Sequence, residues 1–125
     1  MPHGDQSGEP VMLALVENSP ELRASVRKIC EKYPSAYWHQ LEDQQAYPTA
    51  FIKELTQGGF LASLIPEEYG GSGLPIRAAA VILEAINASG CTASQGHAQM
   101  YIMGTVLKYG TEEQKQRYLP KIASG

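Results

Sequence analysis

In every long segment of this sequence the apolar residues recur at helical spacing, and no long segment alternates apolar with polar as a half-buried strand would. That pattern restricts the chain to the all-α class, because only packed helices can then bury a shared face. Four or five helices are expected, arranged as an orthogonal or up-down bundle. The first opens at Ser19-Pro20, where Ser19 can cap free amides, Pro20 suits the first helical position and Glu21 complements the positive end of the dipole. Leu22, Val26, Ile29, Cys30 and Tyr33 give it one apolar face, and Pro34 ends it. The stretch "PSAYWHQLEDQQAY" reads as an aromatic-bearing connection with a helical turn. A second helix opens at Pro48, directs Phe51, Ile52 and Leu55 inward and stops at Gly58-Gly59. "FLASLI" is ambiguous by periodicity, and its place before a loop favours an irregular packed segment.

That loop, "IPEEYGGSGLP" from Ile65 to Pro75, puts three glycines and two prolines between helices. A phosphate cradle needs a glycine-spaced turn ending in Lys-Ser/Thr, or Gly-x-Gly-x-x-Gly after a strand. "GGSG" is neither, so Gly70, Gly71 and Gly73 are read as residues of a sharp, crowded turn.

Beyond the loop, "PIRAAAVILEAINASG" predicts a helix with Ile76, Ala79, Ala80, Leu83 and Ile86 on its apolar face. Arg77, Glu84 and Asn87 form its polar stripe, and Gly90 ends it. "CTASQGHAQMYIMGTVLKYG" carries few charges before Lys108 and is expected to be buried on most sides. Gly96 and Gly104 inside it each cost ~1 kcal/mol relative to alanine, which predicts a close neighbour at both. In "TEEQKQRYLPKI", Thr111 and Gln114 form a capping box, and Pro120 is expected to break or kink the element.

A net charge of −3 over 125 residues gives no electrostatic reason to expect nucleic acid or an anionic membrane. Cys30 and Cys91 are too few for a disulfide framework and read as free thiols, compatible with a reducing cytoplasm. "VMLALV" follows acidic residues and is short for a signal core, while "AAAVILEAI" is about half of the ~20 residues that span a bilayer. The expectation is a cytoplasmic chain with a flexible leader over 1–18 and one helical domain over 19–125. Its ending directly after an amphipathic helix reads as a cut within a longer protein.

Candidate chemistry is sparse. Ser94 and His97 are close enough to pair as nucleophile and base, but no nearby carboxylate orients the histidine, and a helix-interface role suits both better. His3, His39 and His97 lack ligand spacing, and no catalytic or metal-binding residue is expected. Gln95, Gln99 and Met103 fall at i, i+4 and i+8 and so share a face. Two amides and a thioether there fit either a ligand-lining wall or interhelical hydrogen bonds with core packing.

"LIPEEYGGSGLP" (Leu64 to Pro75), "LEAINASGCTASQGHAQMYIMG" (Leu83 to Gly104) and "YGTEEQKQRYLPKIASG" (Tyr109 to Gly125) occur in that order. Together they resemble the amino-terminal helical domain of the flavin-dependent acyl-CoA dehydrogenases, over residues 22–125. The resemblance implies an enzyme that desaturates an acyl-CoA thioester between its α and β carbons with FAD. It passes electrons to an electron-transferring flavoprotein and is a homo-oligomer when full length. The family's flavin-contacting "TEP"-type stretch and its catalytic glutamate lie in further domains, so neither is in this chain, which alone should be inactive. It should also expose an apolar face that meets the β-domain. The helix matching Ala93 to Lys108 lines the far end of the acyl pocket in relatives, which implies substrate-binding roles for Gln95, Gln99 and Met103. The alternative is a stand-alone, non-catalytic helical module that binds acyl groups or a protein partner.

Overall fold

The computed structural model describes residues 20–125. Their regular elements are all helical: α1 (Pro20–Cys30), α2 (Ser35–Gln44), α3 (Thr49–Gln57), α4 (Ile76–Ala88), α5 (Ser94–Tyr109) and α6 (Glu112–Ser124). Short 3₁₀ turns lie at Phe60–Ala62 and Glu67–Tyr69. The proposed cap Ser19 and the leader fall outside the described residues.

α1 runs along α4 and buries Val26 and Cys30, with Leu22 and Ile29 half-buried beside them. Arg23 spans the two helices with a two-pronged bond to Glu84, its Nη1 lying 3.0 Å from Oε1. This exposed pair contributes about 0–1 kcal/mol.

The connection expected after Pro34 is instead a full helix, α2. Pro34 supplies the extended residue ahead of it, and Gln45 ends it in the left-handed region at φ 51°. Its driving force is aromatic. Tyr37 and Trp38 pack edge-on against each other, and the cluster extends to Tyr33 and Phe51 with ring centres 4.8–5.3 Å apart. The Trp38 indole N–H donates to the Tyr33 carbonyl at 3.0 Å. No residue of α2 is fully buried, which is why its sequence shows only a weak helical stripe.

α3 sends Phe51 and Leu55 into the core, and Gly59 takes φ 79° to turn the chain. From there Leu61, Ala62, Ser63 and Ile65 are buried in an irregular segment, as expected of "FLASLI". α4 is rotated relative to the expected face. Ala78, Ala79, Val81, Ile82, Ala85 and Ile86 are buried, whereas Ile76 is 76% exposed, Ala80 is exposed and Leu83 is only half-buried. The helix is apolar nearly all round, so its periodicity defines no single face and its packing partners choose one.

Two further expectations are corrected. α5 is not buried on most sides: Gly96, Met100 and Met103 face inward, while Tyr101, Ile102 and Tyr109 are exposed. Its few charges conceal an ordinary one-sided helix. α6 runs through Pro120 to Ser124 without a break, anchored by the capping box between Thr111 and Gln114 and by the fully buried Leu119. A late proline forfeits one helical bond, which the packed turn around Leu119 tolerates. No helix among the described residues is long and apolar enough to cross a membrane.

Candidate functional site

The glycine turn is closed by its own backbone. The five consecutive amides from Gly70 to Leu74 all donate to carbonyls nearby: Gly70 to Glu67, Gly71 to Pro66, Ser72 to Ala62, Gly73 to Ile65 and Leu74 to Ser63, at 2.7–3.1 Å. The Ser72 hydroxyl donates to the Gly59 carbonyl. A phosphate cradle presents free amides to its ligand, and this turn has none to offer. Its glycines are required by conformation and space. Gly70 and Gly73 have φ of 91° and 63°, and a β-carbon on Gly71 would lie 2.0 Å from the Ile65 carbonyl oxygen.

α5 carries the three residues singled out from the sequence, but the structure gives them different surroundings. Met103 is fully buried in the core. Gln99 is half-buried, and its side-chain amide nitrogen donates to the Leu61 and Ile122 carbonyls, each at 3.1 Å. One side chain thereby ties α5 both to the segment before the glycine turn and to the last turn of α6. Gln99 also lines a cleft of about 470 Å³ with Tyr47, Ile52, Thr56, Ser124 and Gly125. Gln95 lines a separate groove, of about 580 Å³, with Trp38, Leu41, Pro48 and Thr92. Its carbonyl oxygen is buried without a hydrogen-bond partner. The three thus share a helix stripe but no single cavity in this chain.

Gly96 fulfils the expectation of a close neighbour, since a β-carbon there would touch Leu61 at 3.3 Å and Leu83 at 3.7 Å. Gly104 does not, because nothing lies within 4 Å of a β-carbon built on it. It is half-buried, on the side of α5 that carries the exposed Tyr101. The sequence offered interhelical hydrogen bonds as one of two readings of the i, i+4, i+8 stripe, but it could not name the Leu61 and Ile122 carbonyls, because carbonyl acceptors leave no mark on a sequence.

Ser94 and His97 are exposed and line one shallow depression with Leu83, Asn87 and Ala93. The His97 ring sits edge-on to Tyr101, with centres 5.4 Å apart, and none of the lining residues is acidic. This arrangement gives a hydrolytic pair no orienting carboxylate.

One perturbed group, the Tyr69 phenol, lies beside the glycine turn and is pushed up to about 12 by its hydrogen bond to Glu112; two others, Glu54 and Tyr33, lie elsewhere. Lys32 and the Tyr33 hydroxyl both hydrogen-bond Glu54, at 2.8 and 2.6 Å, and hold its carboxyl below the usual value. Burial, with the bond to Glu54, pushes the Tyr33 phenol up to about 12. Both groups brace α1 against α3 and line neither the cleft nor the groove.

The sequence profile of the family described as "Acyl-CoA dehydrogenase, N-terminal domain" matches residues 17–125. A probable acyl-CoA dehydrogenase of Mycobacterium leprae is 33% identical over 122 residues, covering 94% of this chain and 31% of its own length. The mitochondrial short-chain specific acyl-CoA dehydrogenase of Bos taurus is 34% identical over 116 residues, covering 89% of this chain and 27% of its own. A probable acyl-CoA dehydrogenase of Mycobacterium tuberculosis is 30% identical over 115 residues, covering 90% and 29%. The chain therefore spans about three-tenths of the length of these curated relatives.

Proposed function

Because the chain belongs to the acyl-CoA dehydrogenase family and corresponds to its N-terminal domain, we propose that it serves as the helical part of an FAD-dependent enzyme that desaturates acyl-CoA thioesters. The observation that carries this reading is the family match across nearly all of the described helices. The glycine-rich turn offers FAD no phosphate cradle, because its amides are spent on neighbouring carbonyls. In this reading FAD and the proton-abstracting carboxylate belong to other parts of a longer protein, as do the contacts with an electron-transferring flavoprotein and with sister subunits.

What this chain would contribute is a wall. α5 presents Gln95 and Gln99 at two openings, with Met103 filling the core on the same stripe. Gln99 is immobilised by two carbonyls, which suits a residue that limits how far an apolar tail can enter, since a fixed amide cannot swing aside. The side-chain carbonyl of Gln95 is orphaned beside a groove of mixed lining, with Trp38, Leu41 and Pro48 alongside Glu42, Gln45 and Thr92.

The test places Gln99→Ala in a full-length enzyme containing this sequence. kcat/KM is compared over acyl-CoAs of increasing length, starting from short ones because one relative is named short-chain specific. A shift of preference toward longer chains is expected. An unchanged preference, whatever the absolute rates, overturns the role of Gln99 as a wall.

A further inference from the structure

Two cysteines distant in sequence meet in the core, at the join between α1 and the α4–α5 connection. Cys30 and Cys91 are 3% and 5% exposed, and both are free thiols. Cys91 Sγ lies 3.7 Å from the Cys30 carbonyl and 3.6 Å from the Tyr33 carbonyl, so it sits against the hydrogen-bonded turn that closes α1.

We propose that Cys30 and Cys91 form a latent intrachain disulfide site, closed by exchange with a small-molecule disulfide. The chemistry is two successive exchanges. One protein thiolate attacks a sulfur of the oxidant R–S–S–R, and the first RS⁻ leaves from a mixed disulfide. The second protein thiolate then attacks the protein sulfur of that adduct and expels the second RS⁻. Two cysteine thiols are oxidised, one oxidant disulfide is reduced to two RSH, and the two protons released by the cysteines end on those thiols. Burial pushes the Cys30 thiol up to about 12, and the neighbouring Cys91 adds to this, so its thiolate is scarce while the core stays closed. Burial of both also makes closure depend on local opening of the α1 end, and hence slow under strongly native conditions.

The experiment incubates the 125-residue chain with oxidised glutathione, in buffer and again in urea well below the unfolding midpoint. Intact mass and peptide mapping are then recorded. The expected product has lost two hydrogens, carries no glutathione and yields a Cys30–Cys91 linked peptide, and it unfolds several degrees higher than the reduced chain. Cys30→Ala and Cys91→Ala should each stop at one glutathione adduct. Stable glutathione adducts on the unsubstituted chain, disulfide-linked dimers, or two free thiols persisting in both conditions would each overturn the proposal.

Discussion

A β-carbon on Gly71 would sit 2.0 Å from the Ile65 carbonyl oxygen, whereas one on Gly104 would meet nothing within 4 Å. Both glycines attracted notice in the sequence, Gly71 as part of a sharp, crowded turn and Gly104 as a point of close approach. The first belongs to a turn whose five amides are all spent on neighbouring carbonyls, and whose buried flank of Leu61, Ala62, Ser63 and Ile65 fixes its path. The second sits on α5 three residues after the exposed Tyr101, on the same side of the helix. The amides of the turn are closed on themselves, whereas α5 is clamped inward through Gln99 and turns Tyr101 and Ile102 to solvent.

The strongest way to break this comparison is Gly71→Ala, expected to cost about 3 kcal/mol because the clash is with backbone and cannot be relieved by a side-chain move. Urea unfolding measures it, and a cost below about 1 kcal/mol would mean the turn is looser than its hydrogen bonds imply. Next comes Gln99→Ala, which removes the side-chain donor shared by two part-buried carbonyls, of which that of Ile122 keeps the Gly125 amide, and should cost about 1–2 kcal/mol by the same measurement.

A pH titration sharpens the inward side further. The Glu54 carboxyl is lowered in the folded state, so its contribution is present above the ordinary value of 4.5 and is lost as pH falls through the lower folded one. Tyr33 has the opposite sign. Its contribution is intact below 10 and is lost as pH rises toward about 12. Thermal midpoints recorded across pH should therefore drop at both ends, and Glu54→Gln should flatten the acid limb. The smallest effect has the reverse direction. Gly104→Ala should stabilise by about 1 kcal/mol, because it improves helix propensity without meeting a neighbour. A loss there would show that the outward side of α5 is occupied.

The helical class and the ends of most elements could be read from local signals such as the Thr111–Gln114 capping box and the glycines at 59 and 90. What could not be read depended on partners. The face of α4 is chosen by its neighbours among apolar residues on nearly every side, and α2 is held by rings that touch Tyr33 and Phe51 across the fold. The candidate stripe at Gln95, Gln99 and Met103 was visible as periodicity. Its division into an orphaned carbonyl, a double clamp and a core plug required the positions of backbone carbonyls and neighbouring helices.

The central claim, that these helices serve within a longer flavin-dependent dehydrogenase, is tested most directly by the intact mass and flavin content of the native gene product isolated from its own cell. With this chain covering about three-tenths of its relatives, the account predicts a product of roughly three times 13.6 kDa that carries FAD. A flavin-free native product of 13.6 kDa would contradict it and would favour a non-catalytic helical module.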